Sequence, residues 1–164
     1  MFTPLRGAFL EALLGVFSPA LGGDDEFQRL QVTAIQYVPL FSTLYLGVRA
    51  DGGAIFGDAP FYLKPFISLR GAPIMRYQGD QVAQIEAELR WQFCKRLSVV
   101  GFAGTGAACN EFERLNNTQT IVTGGFGFRY EIARKYGIHL GLDLAFAPEN
   151  TAVYVQVDSA WARP

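Results

Sequence analysis

The chain has 164 residues, of which 50% are hydrophobic and 18% are charged, so it can bury a core and is too apolar to be intrinsically disordered. Its net charge is −1 with acids and bases interspersed, which argues against nucleic acid as a partner. Glycine (18 residues) and phenylalanine (14 residues) are both abundant, a composition that favours strands and tight turns.

The N-terminal segment fits neither a membrane helix nor a cleaved leader. Residues 8–21 are the most apolar stretch, but they contain Glu11 and Pro19 and fall short of the ~18 to 20 residues that a spanning helix needs. Arg6 precedes this run as in a signal peptide, yet no cleavage site follows. If the protein is exported, we expect its signal to lie upstream of Met1, and any membrane crossing must use strands.

Apolar and polar residues alternate in one segment after another, which is the period of a strand with one apolar face. The alternation is cleanest over residues 83–93, where the odd positions are apolar and the even positions are polar. At ~9 to 13 residues, the segments are long enough to cross a bilayer as tilted strands. In chain order the predicted strands are 7–17, 28–40, 43–51, 83–93, 97–108, 120–133, 138–146 and 153–161.

The connections alternate in length, with short links at 41–42, 94–96 and 134–136 and longer ones at 18–27, 52–81, 109–119 and 147–150. Outer-membrane barrels have this pattern of short periplasmic turns and longer outer loops. A soluble barrel or sandwich also alternates, but its turn lengths need not. The pattern predicts a periplasmic girdle of aromatic residues, formed by Phe41, Trp91, Phe93, Tyr136 and Trp161.

The longest connection, residues 52–81, contains the sequence DAPFYLKPFISLRGAPIMRYQGD. Its prolines and large aromatic residues predict that it folds back onto the protein, because it is too apolar to extend into water. Its Leu-Arg-Gly motif, a glutamate on the next strand and the C-terminal sequence GGFGFRYEIARKYGIHLGLDLAFAPENTAVYVQVDSAW resemble the BamA/TamA family, also called the bacterial surface antigen family.

In that family a long loop with this motif enters the lumen of a sixteen-stranded outer-membrane barrel. The resemblance covers residues 22–161 and implies that residues 1–164 form the C-terminal half of such a barrel, with ~8 transmembrane strands and a lumenal loop. A closed barrel of ~8 strands is filled by its own side chains and could not admit the loop. We therefore expect half of a sixteen-stranded barrel, two combined copies, or a loop that stays outside.

The resemblance also implies a loop anchor, consisting of Leu69, Arg70 and Gly71 with Glu88 from the next strand. Glu86 lies on the same strand face and is a further partner for the planar guanidinium.

The chain departs from the family pattern in three places. Ala72 and Pro73 follow the Leu-Arg-Gly motif, where the family usually has an aromatic residue. Members commonly supply a second acid from the following strand, where this chain has Gly104, Thr105 and Gly106. Trp161 matches the aromatic residue that ends the family's terminal strand, but three further residues follow it here.

Other reactive residues indicate no enzyme. His139 and Asp143 share a strand face but lie ~13 Å apart along it, too far for a dyad, so we expect a solvated histidine. Cys94 and Cys109 are predicted at opposite ends of one strand as free thiols. We predict no metal site and no cofactor. Arg129, Asp143 and the remaining charges of the polar face are interpreted as a wet, charge-compensated lumen.

The resemblance implies a role in insertion, assembly or translocation of proteins at the bacterial outer membrane. Outer-membrane lipids, nascent outer-membrane proteins, and the remaining N-terminal barrel strands or a second copy are the expected partners. The alternative is a passive pore or structural barrel without insertase activity, and a third, weaker hypothesis is an outer-membrane hydrolase.

Overall fold

The computed structural model of the protein describes residues 6–22, 25–110, 118–133, 138–157 and 161. In this part of the chain eight strands form one open antiparallel sheet, in which each strand pairs with the next along the sequence. The predicted all-β antiparallel meander is therefore confirmed. The strands are β1 Gly7–Phe17, β2 Phe27–Phe41, β3 Leu44–Gly57, β4 Gln81–Gln92, β5 Leu97–Cys109, β6 Gln119–Ala133, β7 Ile138–Ala147 and β8 Asn150–Val157.

Two predicted boundaries are wrong. β3 continues to Gly57 because its pairing with β2 is unbroken up to Phe27, so the long connection begins six residues later than its composition indicates. The link between β7 and β8 is a tight turn, since Ala147 pairs directly with Asn150. Short and long connections therefore do not alternate to the end of the chain. The predicted short link at 134–136 lies outside the described residues, as does most of the link at 109–119.

The two faces of the sheet have opposite chemistry. One face, here called the loop face, carries the polar positions of each strand, including the buried side chains of Glu86, Arg129 and Asp143. The other, the open face, exposes large apolar side chains. Those at least 40% exposed on β4 to β8 include Ile85, Leu89, Val122, Phe126, Phe128, Leu140, Leu142, Val153, Val155 and Val157. This is the reverse of a soluble sandwich or barrel, which buries its apolar face.

The connection between β3 and β4 packs against the loop face, as its composition predicts. It folds as a short hairpin, in which the Ile67 amide donates to the Tyr77 carbonyl at 2.8 Å and the Gly79 amide donates to the Pro65 carbonyl at 3.2 Å. Ile67 is fully buried. It belongs to an apolar cluster made of Ile67, Leu69, Ala72, Val82, Ala108 and Ile121.

Glycines of the loop face leave space for what packs on it. A Cβ on Gly104 would lie 2.9 Å from Leu69 Cδ2, and one on Gly106 would lie 3.0 Å from two carbons of Ile67. At these distances the loop side chains would have to shift to admit a Cβ, so a larger residue at either position competes with the seated loop for space. The glycines of the GFAGTG sequence therefore provide the surface of β5 against which the loop packs.

Candidate functional site

The loop anchor lies where the tip of the hairpin meets the loop face. Arg70 is 8% exposed, and its Nη2 lies 2.8 Å from Glu86 Oε1. Its Nη1 lies 2.7 Å from Glu88 Oε2 and 3.1 Å from Asp143 Oδ2. The guanidinium also stacks over the ring of Phe102, with 3.6 Å between Cζ and the ring centroid. The structure thus brings Arg70, Glu86 and Glu88 together as predicted.

The residues on either side of Arg70 explain its exact placement. The Ala72 amide donates to the Leu69 carbonyl, closing a tight turn that presents Arg70 to the sheet. Gly71 has a φ of 92°, a left-handed conformation that side chains other than glycine adopt at a cost. Its amide donates to the Tyr154 hydroxyl at 3.0 Å. The Leu-Arg-Gly motif therefore combines an apolar contact, a charge and a turn.

Asp143 belongs to the anchor, whereas the sequence predicts it only as one of the solvated charges of the polar face. It is 1% exposed, and it pairs with both Arg70 and Arg129. Arg129 Nη2 lies 2.8 Å from Asp143 Oδ2 and 3.0 Å from Gln156 Oε1. β7 therefore supplies the second acid that is absent from β5. The alternation of β7 places Asp143 on the correct face, but the sequence contains no signal for its contact with the loop.

Oppositely charged side chains surround this anchor. Arg70, Arg90 and Arg129 lie among the carboxylates of Glu86, Glu88, Asp143 and Glu131. Burial by itself would lower the pKa of Arg70, but the charges of Glu88, Glu86 and Asp143 outweigh it and raise this pKa above its ordinary value. The carboxylates therefore favour the charged form of the Arg70 guanidinium.

Trp161 joins the anchor, and its predicted position in an aromatic girdle is wrong. β8 ends at Val157, and Trp161 is 7% exposed on the loop face. Its indole nitrogen donates to Glu86 Oε1 at 2.6 Å, and its ring packs on Tyr37 with 5.5 Å between the centroids. A Cβ on Gly47 would lie 2.6 Å from the ring. The indole turns inward because Glu86 accepts its N–H and the bare backbone of Gly47 admits the ring.

Of the other predicted girdle residues, Phe41, Trp91 and Phe93 are exposed, and Tyr136 lies outside the described residues. Phe41 and Trp91 both pair with Leu44, which places them at the same end of the sheet. Trp91 and Phe93 are in contact, with their ring centroids 6.1 Å apart.

A second set of hydrogen bonds, separate from the Arg70 ion pairs, connects the loop to the sheet. The Ser68 amide donates to Gln84 Oε1 at 2.7 Å, and Gln84 Nε2 donates to Asp51 Oδ2 at 2.8 Å. Asp51 in turn accepts from Arg49 at 2.8 Å and from Thr33 at 2.8 Å. The loop is therefore connected by hydrogen bonds to β2 and β3 as well as to β4 and β7.

The expectation of a solvated His139 is wrong. Its side chain is 5% exposed, and Nε2 lies 3.0 Å from Nη2 of Arg90, so the neutral imidazole accepts from the guanidinium. Cys94 and Cys109 are both free thiols, as predicted. In the part of the chain that the structure describes, no three ligating side chains form a metal-binding group. The anchor is a cluster of ion pairs and hydrogen bonds that holds the loop against the sheet.

Comparison with known proteins returned neither a matching protein-family model nor a significantly similar curated sequence.

Within the described ranges, no helix is both long enough and apolar enough to span a membrane.

Replacing Arg70 with alanine should release the loop. Three carboxylates would lose a buried partner, at a cost of about 3 to 5 kcal/mol, because a buried ion pair that loses one member leaves uncompensated charge. We expect chymotrypsin to cleave after Phe66, which lies in the seated loop next to the fully buried Ile67, several-fold faster in Arg70→Ala than in the native protein. Arg76→Ala is the matched control, since this arginine lies in the same loop but its pair with Glu149 is exposed, with side chains 61% and 46% accessible. Equal cleavage in the two variants would contradict the anchor.

The indole N–H of Trp161 should contribute separately to the anchor. Trp161→Phe keeps a ring against Tyr37 but removes a hydrogen bond to a buried carboxylate, which costs about 1.5 to 3 kcal/mol. The urea midpoint of the folded protein in detergent micelles should fall accordingly. Trp91→Phe, an exchange at a 53% exposed position, should leave the midpoint nearly unchanged. If both variants shift equally, the bond to Glu86 is not what matters.

Proposed function

We propose that the protein is the membrane-embedded C-terminal half of a bacterial outer-membrane β-barrel of the BamA/TamA type, which assists the insertion and assembly of proteins at that membrane. The observation that carries this proposal is the inverted sheet. Its charged face is buried beneath a loop held by Arg70, whereas its apolar face is exposed along β4 to β8. Lipid is the solvent in which this arrangement is favourable.

The edges of the sheet support a larger assembly. β1 and β8 each pair on one side only, so each leaves a row of backbone groups without a strand partner in the described structure. Exposed edges of this kind recruit further strands, and in a bilayer they cannot be left open. Eight preceding strands of the same polypeptide, or a second copy, would close the sheet into a barrel. An even strand number keeps every pair antiparallel.

The loop favours an insertase over a passive pore. Residues 58–80 fold against the loop face and bury Ile67 and Leu69 there, so they occupy the space that a pore would leave open to ions. The work of such a barrel is done by its wall and its unpaired strand edges, and no bond is made or broken. The outer-membrane hydrolase hypothesis has no support in the environment of His139.

A charged residue introduced in the middle of the open face should lower folding stability by different amounts in a membrane protein and in a soluble one. Leu142 lies near the centre of β7 and is 57% exposed. Leu142→Arg should lower folding stability in lipid vesicles by about 2 to 4 kcal/mol if this face meets hydrocarbon. On a soluble protein an exposed substitution of this kind changes stability by about 0.5 kcal/mol or less.

The matched control is Thr151→Arg on β8, which lies on the open face but next to the tight turn, where a charge in a bilayer costs about 1 kcal/mol or less. Folding is measured by heat-modifiable migration on a gel after refolding into vesicles, with urea midpoints for the folded fractions. A protein that folds without lipid, and in which the two variants behave alike, would rule out the membrane proposal.

Insertase activity is measured with a second protein. Vesicles that contain the folded protein should convert an unfolded outer-membrane barrel into its heat-modifiable form several-fold faster than empty vesicles do. Vesicles with an unrelated folded barrel are the control, because any embedded protein disturbs lipid packing. No acceleration over that control, together with a steady ion conductance, would assign the alternative function of a passive pore.

A further inference from the structure

The open face contains a depression that the side chains of the described residues do not fill. It has a volume of about 400 Å³ and lies at the end of the sheet where β3 stops and β4 begins. Its floor is made of Gly52, Ala54, Ala83 and Ala107, and Leu30 stands at its side. Register places these residues on one face, because Leu30 pairs with Ala54 and Gly52 pairs with Ala83, which pairs with Ala107.

Glycines distinguish this depression from the loop face. A Cβ on Gly47, Gly104 or Gly106 would meet a side chain of the same chain at 3.0 Å or less. A Cβ on Gly52 would meet nothing nearer than the Val82 carbonyl oxygen at 4.0 Å. Small residues on the loop face are therefore occupied from within the chain, whereas Gly52 faces open space. Any occupant of the depression comes from outside the described residues.

The depression has a polar end. Gln81 and Thr118 line it where the strands begin. The side-chain nitrogen of Gln81 is buried and has no acceptor among the described residues. A buried amide without a partner costs about 1 to 3 kcal/mol, so this donor favours a ligand that brings an oxygen. An apolar groove with a donor at one end fits an amphipathic molecule.

We propose that this groove binds one acyl chain of a glycerophospholipid, with an ester or phosphate oxygen accepting from Gln81. The inference rests on the proposed membrane location. The lining along β4 spans Gln81 to Ala83, and Ile85 beyond it is large and 47% exposed, so the groove holds the part of an acyl chain that lies nearest the headgroup. A second protein chain is a poorer fit, since a stable interface needs ~800 Å² on each partner and this depression is confined to one end of four strands.

The test uses vesicles of phosphatidylcholine and phosphatidylethanolamine that contain a phospholipid with a photoactivatable diazirine in its acyl chain. After illumination, the modified peptides of the full chain are located by mass spectrometry. We expect labelling of the peptides around Ala83 and Ala107 to exceed that around Val155, on the same face, several-fold. Ala83→Leu fills the groove and should abolish the excess. Val155→Leu adds one methylene elsewhere on the open face and should leave it intact.

Each outcome bears on a different statement. Even labelling over the whole open face would overturn the groove but leave the membrane proposal standing, as would an excess that Ala83→Leu does not change. Absence of labelling on the open face would overturn both. Protection of the groove by a second copy would appear as a dimer in native mass spectrometry without lipid adducts, and it would also overturn the inference.

Discussion

The buried guanidinium of Arg70 is the constraint on which the rest of the site depends. A charge at 8% exposure is tolerable only where carboxylates meet it with good geometry, and Arg70 has three of them within 3.1 Å. These carboxylates come from β4 and β7, so the loop can seat only on a sheet that is already assembled across four strands. The ring of Phe102, between them on β5, contributes a cation–π contact and shields the ion pairs from water.

Seating the loop also accounts for much of the residue choice in the sheet. Gly104 and Gly106 have no side chain where Leu69 and Ile67 pack on the sheet, and Gly127 has none where the Asp143 carboxylate lies. The same strands carry large residues on their opposite side, where space is not limiting. A two-residue period that places glycine and charge on one face and phenylalanine, leucine and valine on the other thus serves two environments at once.

The sequence predicts the strands, their two faces and the contact of Arg70 with the glutamates of β4. The contacts that it does not predict have a common physical origin. Alternation predicts strands and faces because it is local, and the Leu-Arg-Gly motif with Glu88 on the next strand involves neighbours along the chain. Asp143 was missed because its contact with the loop depends on how the sheet brings distant strands together. In the pairing ladder Asp143 shares a row with Arg90, through Gly127 and Val100, and not with Glu86 or Glu88. The Trp161 side chain likewise points to the loop face because of tertiary contacts with Glu86 and Gly47, which strand periodicity does not encode.

An ion-pair cluster of this kind contributes less to stability than to uniqueness. Desolvation offsets much of the attraction among the buried charges, and apolar residues of similar volume could seat the loop about as firmly. Apolar residues, however, would accept many loop positions, whereas Glu86 fixes Arg70 and Trp161 together through a single carboxylate oxygen. Those two residues are far apart in the sequence, so one oxygen of β4 joins the loop between β3 and β4 to the segment that follows β8.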